Sequence, residues 1–219
     1  MTLARPIALV GSGPVLAIAR SLAAELAGAE SVIVVELPPD RIADADVRAL
    51  IGRDPGEVDA FAAVGLHALN HARSDLCARL LDAGYPLATL VHPRAIVDRT
   101  ASVASNVVVC AGAGAGPGAS IESGAVILDG ARIEAGARIG PYAWIGANVA
   151  VGFGASVGAH TILRPGVNLD AGVPVGDHCE LATPGLRQAA IPARTFDTPA
   201  FDRPARIFRG RDPGGAAPA

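Results

Sequence analysis

The 219-residue chain contains no lysine, so its 18 basic residues are all arginine, set against 21 aspartates and glutamates. That absence excludes every mechanism built on a lysine amine, Schiff-base chemistry and the phosphate-cradling P-loop among them. A formal net charge of only −3 leaves no basic excess for a nucleic acid or an anionic membrane surface, and neither partner is expected. Cysteine is scarce too: Cys77, Cys110 and Cys179 are odd in number, scattered, and free of any CxxC pair. Neither a disulfide framework nor a thiolate zinc site is indicated, and a reducing cytoplasm is the expected location. No run approaches the ~18 consecutive apolar residues of a membrane span. The apolar run at residues 7–10 is too short for the core of a secretory signal.

What the chain does have is a repeat. Stepping by six from Val91 to Leu181, fifteen of the sixteen residues are Val, Ile or Leu, the exception being Ala115. Four residues after each lies a second regular position, from Ala95 through Ala125 and Ala143 to Gly185, and all sixteen of these are small or β-branched. A helix of period 3.6 cannot hold a six-residue step on one face, and a flat strand would not need the second class to be small. A triangular coil satisfies both, which predicts a left-handed parallel β-helix of hexapeptide repeats over residues 89–186. In it the aliphatic residue fills the interior, and glycines such as Gly112, Gly130 and Gly154 take the corners. Sixteen hexapeptides at three per coil make a little over five coils, about 25 Å tall at roughly 4.8 Å per coil. The open ends of such a stack need capping. The preceding domain is expected at one end and residues after Leu181 at the other, with the proline- and arginine-rich extension 187–219 packed along the prism and its last residues, 214–219, disordered.

Residues 1–88 read as a small α/β, Rossmann-like unit. Apolar strands at residues 7–10, 32–35 and 61–64 alternate with helical stretches at 15–27 and about 70–83, and such alternation makes a parallel sheet. A ligand crevice is expected at the carboxyl ends of the strands, where Gly11, Gly13, Glu36, Gly65 and Asn70 fall, making them the candidate nucleotide-binding residues. Gly11-x-Gly13 also serves any tight strand-to-helix turn, and Glu36 either faces a ribose or is simply solvated.

An α/β unit running through His92-Pro93-x-Ala95 into an unbroken prism, with Asn70-x-x-Arg73 opening the last helix, Gly84 before the junction and Pro204-Ala205-Arg206 near the end, resembles one family. It is similar to the bacterial sugar acetyltransferases that include the sialic acid O-acetyltransferases and the bacillosamine and perosamine N-acetyltransferases. The resemblance implies a homotrimer with acetyl-CoA, or another acyl-CoA, as co-substrate in a groove between neighbouring prisms. It also implies a nucleotide sugar on the N-terminal unit and a histidine base flanked by acids. Laid on the gapless repeat, the family's acid-His-acid triplet falls on Glu134-Ala135-Gly136, so the first acid is kept and the base is lost. A second family histidine falls on Trp144, the only tryptophan, and a small glycine falls on Phe153. Gly13-Pro14-Val15-Leu16 stands where the family has a histidine in glycine-rich sequence, and Pro14 removes a backbone donor.

The candidate catalytic residues are therefore Glu134 and, on the coil before it, Asp129; the candidate acceptor cleft is Ala135, Trp144 and Phe153, whose aromatic rings either form an altered platform or fill the cleft. His160 and His178, one 18-residue coil apart, are expected to stack on the same corner; lacking a third histidine ligand, they are not read as a metal site. His92 is assigned a structural hydrogen bond at the junction, and His67 and His71 lie near the third strand's end. Two functional readings follow: an acyl-CoA-dependent transferase acting on a sugar amine or hydroxyl, or a catalytically silent trimeric homologue that keeps the fold for binding.

Overall fold

The computed structural model describes residues 5–207; the terminal segment expected to be disordered lies outside the described residues. Strand β1 (Ile7–Ser12), helix α1 (Gly13–Ala27), strand β2 (Val32–Glu36), a short helix α2 (Val47–Ile51), strand β3 (Asp59–Val64) and helix α3 (His71–Asp82) form the first unit. The three strands pair in parallel in the order β2-β1-β3. β1 is wholly apolar up to Gly11, and its residues Ile7 to Val10 are fully buried, as expected for a central parallel strand covered on both faces. Pro14 sits in the first turn of α1, where its missing N–H costs nothing. Gly11 is demanded by packing: its φ is +148°, and a Cβ there would lie 2.2 Å from the Ala63 carbonyl oxygen of β3.

From Leu90 the chain coils through six turns whose strands stack into three parallel sheets, as the six-residue step predicts. The first face stacks Leu90–Val91, Val108–Val109, Val126–Ile127, Trp144–Ile145, Ile162–Leu163 and Glu180–Leu181; the second begins at Ile96–Val97 and the third at Ser102–Val103. Partners are 18 residues apart, as in Ile127 with Ile145. Both repeat classes point inward, so that residues such as Ala125, Ile127, Ala131 and Ile133 form one continuous dry core. Each corner residue from Asn106 to His178 takes left-handed backbone, and at Tyr142, His160 and His178 a ring-bearing residue occupies that conformation. Such residues carry a steric cost of about 1–2 kcal/mol each, offset here by contacts across the seam described below.

Two expectations are corrected. The first unit does not cap the prism's end. It lies along the first face, where the outward residues Leu90, Val108, Val126, Trp144 and Ile162 join Leu16, Ala19, Leu22 and Phe61 in a single apolar cluster. Those five residues also recur every 18 positions, and each is apolar, whereas the second face shows Ile96, Gly114, Arg132, Ala150 and Asn168 at the same place. Among the described residues the segment after Leu186 does not pack along the prism either; it covers the open end, where the residues after Leu181 were expected. Gly185–Arg187 pairs with Val167–Leu169, Ile191 bridges Val175, and Thr195–Asp197 pairs with Glu180–Leu181, adding a last coil on the open end. Ala205–Arg206 then pairs antiparallel with Thr195–Asp197. The last coil advances by 16 residues, from Val175 to Ile191 and Leu181 to Asp197, so the hexapeptide register does not reveal it. Its Ile191 still packs against the prism core.

No helix among the described residues is long and apolar enough to cross a membrane.

Candidate functional site

Three places carry polar chemistry. The first is the crevice at the carboxyl ends of β1 and β2, a cavity of about 220 Å³ lined by Ser12, Gly13, Leu16, Ala17, Arg20, Val34 and Glu36. Gly13 and Glu36 are thus brought together as the sequence suggested. Gly13 needs its positive φ of +71°, and no heavy atom stands within 4 Å of where a Cβ would be, so the turn is open above α1. The Ser12 side chain makes no capping bond, which leaves the first amides of α1 facing the crevice without a protein side-chain cap. Arg20 was not singled out from the sequence. The signal was its spacing: residues 13, 16, 17 and 20 fall on one face of α1 at helical periodicity. Gly11 is buried between strands rather than exposed to the crevice, and Gly65 lies by Val15 without unusual backbone.

Asn70 is turned elsewhere, to the second place, the seam between α3 and the prism. It is fully buried, and its Nδ2 donates to the Tyr142 carbonyl at 2.8 Å, while its Oδ1 has no hydrogen-bond partner. Arg73, one turn on, is also fully buried; its guanidinium donates to the carbonyls of Gly124 (2.8 Å), Val64 (2.9 Å) and Tyr142 (3.3 Å). Burial lowers its pKa to about 10, which leaves it charged at neutral pH. Burial likewise pushes the Cys77 thiol and the Tyr142 phenol up to about 12 despite the adjacent Arg73, so neither ionises near neutrality. Asn106 closes the seam from the other side: its Oδ1 accepts from the Ala62 N–H at 2.7 Å and its Nδ2 donates to the Ala62 carbonyl at 3.2 Å. It thereby satisfies the edge of β3 as a neighbouring strand would.

At the same seam His160 and His178 share one corner as expected, and their rings meet edge-on, with centroids 5.2 Å apart and planes inclined at 70°. A third ring joins them that spacing along the repeat could not reveal. His71, at the start of α3, stacks on His160 at 4.1 Å and meets His178 edge-on at 5.2 Å, and Tyr142 stacks with His160 at 5.1 Å. Nδ1 of His160 lies 3.0 Å from the Leu69 carbonyl. Among the described residues no group of His, Cys, Asp and Glu is disposed to hold a metal ion. His92 makes its structural bonds at the junction, with Nδ1 accepting from the Arg94 N–H at 3.0 Å and Nε2 lying 3.5 Å from Glu25 of α1. His67 lines a separate cavity of about 350 Å³ with Asp40, His71, Asp75 and Arg79.

The third place is on the prism. Ala135 and Phe153 occupy the same column one coil apart, and the exposed Glu134 side chain turns up to accept a hydrogen bond from the Phe153 N–H at 3.1 Å. Phe153 is 63% exposed. Glu134, Ala135 and Phe153 therefore form one patch at the end of the second face. Trp144 is not part of it: it is only 8% exposed and belongs to the apolar seam on the first face, with Leu66 and Leu69 packed against the same cluster. Asp129 is exposed at the preceding corner, where its carbonyl accepts from the Asn148 N–H at 2.9 Å.

No family model matches the chain, and no curated protein sequence matches it. Solved structures do. The acetyltransferase domain of PglB from Neisseria gonorrhoeae is 19% identical, with a TM-score of 0.75 over 88% of this chain and 95% of that one. PerB from Caulobacter crescentus, solved with CoA and GDP-perosamine, is 22% identical, with a TM-score of 0.75 over 90% and 95%. A variant of the GDP-perosamine N-acetyl transferase from the same organism, also with CoA and GDP-perosamine, is 23% identical, with a TM-score of 0.74 over 90% and 94%. This chain and those proteins share one fold along nearly their whole lengths.

Proposed function

We propose that the protein is an acyl-CoA-dependent transferase, acetyl-CoA being the foremost donor, that acylates an amine or hydroxyl of a nucleotide-linked or related sugar. The observation that carries this reading is the near full-length structural match to proteins solved with both CoA and GDP-perosamine. The β1–β2 crevice supports it. The start of α1 and Arg20 suit phosphate oxygens, and Glu36 suits ribose hydroxyls. In the reaction the acceptor nitrogen or oxygen attacks the thioester carbonyl, the C–S bond breaks, and the coenzyme A sulfur leaves carrying the electron pair and ends protonated. The acceptor's proton goes to a general base. With alanine at position 135, that base is Glu134, or else an acceptor amine that is already neutral needs none before attack. The chemistry requires no metal. The working unit is a cytoplasmic homotrimer with the acyl-CoA between neighbouring prisms; outward-facing Ile96 and Leu186 on the second face, both largely exposed together with Phe153, are apolar surface for such contacts.

The test is a thermal-shift series with acetyl-CoA, coenzyme A and nucleotide sugars, coupled to thiol release over amino-sugar acceptors. A ligand at 100 times its Kd stabilises by about 2.7 kcal/mol, a readily measured shift. No shift with any acyl-CoA and no thiol release would remove the transferase reading. With turnover in hand, Glu134→Gln should abolish it if Glu134 is the base, and Arg20→Ala should raise KM for the nucleotide sugar with kcat little changed. A second reading, a silent trimeric homologue, is favoured by the Glu134 carboxylate already being engaged by the Phe153 amide; it predicts ligand shifts without turnover.

A further inference from the structure

The corner column that faces α3 runs Asn106, Gly124, Tyr142, His160, His178 and then Arg194, each 18 residues apart until the last step of 16, and all six have positive φ. Gly124 is bare, and a Cβ there would lie 2.3 Å from the Tyr142 ring. The coils above it carry rings, and His71 of α3 covers them. Three imidazoles from the two units of the chain are thus in mutual contact at the seam.

Charges of both signs surround them, and the carboxylates stand off the rings. From α3 come the buried cation Arg73, the carboxylate of Asp75 and the neutral Cys77. From the loop before α3 comes His67, and from the Pro39–Asp44 turn comes Asp40, both lining the adjoining cavity with Arg79 and Asp75. On the prism side are Tyr142, uncharged near neutrality, and Arg194 at the next step of the column. Asp177 precedes His178, but its carboxylate is already accepting from the Ala159 N–H at 2.7 Å. No hydrogen bond or ion pair joins any of the three imidazoles to a carboxylate among the described residues.

We propose that the His71–His160–His178 cluster is a proton-sensitive latch, holding α3 on the prism while the imidazoles are neutral and releasing it when they become protonated. Stacking needs no charge, and neutral His160 can donate its Nδ1–H to the Leu69 carbonyl. Two or three imidazolium ions at 4–5 Å, next to Arg73, repel one another. The direction agrees at the half-buried member. His160 is held below its ordinary 6.5 by burial, opposed in part by its bond to Leu69 and reinforced by His71, His178 and Arg73. A group whose pKa is depressed when docked binds protons more tightly when undocked. The seam is therefore tightest above pH 6.5 and loosens as pH falls from there through the lowered docked value. Release frees the Leu69 carbonyl, and Leu69 packs on the cluster that contains Trp144.

Trp144 is the only tryptophan, and its emission reports the first-face cluster on which Leu69 packs. The experiment follows hydrogen exchange of the α3 amides, corrected for intrinsic rates, and Trp144 emission of the full chain from about pH 8 to about pH 5. Each imidazole that titrates only when α3 is undocked contributes at most about tenfold per pH unit below 6.5, a ceiling of about thirtyfold per imidazole at pH 5; the expected result is a rise of about tenfold between the two ends, with a red shift of Trp144. Amides of the second face around Ile133 should not follow. In a His71→Asn/His160→Asn double variant the rise should fall below threefold. Asparagine suits the left-handed corner at 160, as Asn106 and Asn148 do at theirs. Should the double variant fail to fold, His178→Asn alone should give a rise clearly smaller than the natural chain's. An α3 opening constant independent of pH in the natural chain, or a full tenfold rise in a folded variant, overturns the proposal.

Discussion

Arg73 shows how much one side chain can carry. A guanidinium with no carboxylate partner is held in a fully buried site only because three carbonyls from β3 and two successive prism coils point at it in the plane of its donors. Lysine keeps the charge but not the fork, and so can reach at most part of this set. Arg73→Lys should therefore destabilise the chain by about 3 kcal/mol, from two lost charge-assisted hydrogen bonds and the carbonyls left unpaired, as read from the midpoint of urea unfolding; a loss under 1 kcal/mol would mean the seam does not depend on that fork. At this scale the sequence was only half legible. Asn70 and Arg73 stood out as a motif, but placing Asn70 at a nucleotide was a matter of its position after a strand, whereas its amide is claimed by Tyr142, 72 residues away. His71 could not be placed on His160 because nothing along the repeat specifies where α3 docks.

Among elements, the first face of the prism is both strand stack and binding surface for α1 and β3. Trp144 is its largest outward residue, and truncation leaves a void that the neighbouring Val126 and Ile162 cannot fill. Trp144→Ala should cost about 3–5 kcal/mol, measured by circular dichroism since the fluorophore is lost. The loss should fall on docking of the first unit while the coils keep their strand signal; cooperative loss of both would instead mean that the prism depends on the first unit. The six-residue step made the coils readable because each repeat must bury the same two positions. The docking face was readable as well, but only once the outward positions were sorted by coil, which separates Leu90, Val108, Val126, Trp144 and Ile162 from the polar columns beside them. The terminal coil was not readable, since its advance of 16 residues in place of 18 takes Ile191 out of the six-residue step.

At the scale of the whole molecule, the first unit covers one prism face and, among the described residues, two remain open. Ile96, 77% exposed, and Leu186, 55% exposed, mark opposite ends of the second. Under the proposed assembly, light scattering should return the mass of three chains of 21.9 kDa, and Ile96→Ser with Leu186→Ser should shift it toward one chain with little change in folded-state circular dichroism. A single-chain mass for the natural protein would remove the trimer and with it the groove for an acyl-CoA.

The sideways docking of the first unit also has a consequence for how the chain is made. The unit is complete by residue 88, but the strip that covers it is laid down one residue per coil, and the last of its apolar members, Ile162, is made only after four further coils. At about 5–20 residues per second, the stretch from Leu90 to Ile162 takes on the order of 4–14 s to synthesise. Throughout that interval the emerging protein carries an apolar flank on α1 that shortens coil by coil, so that the growing prism acts toward its own first unit as a chaperone would.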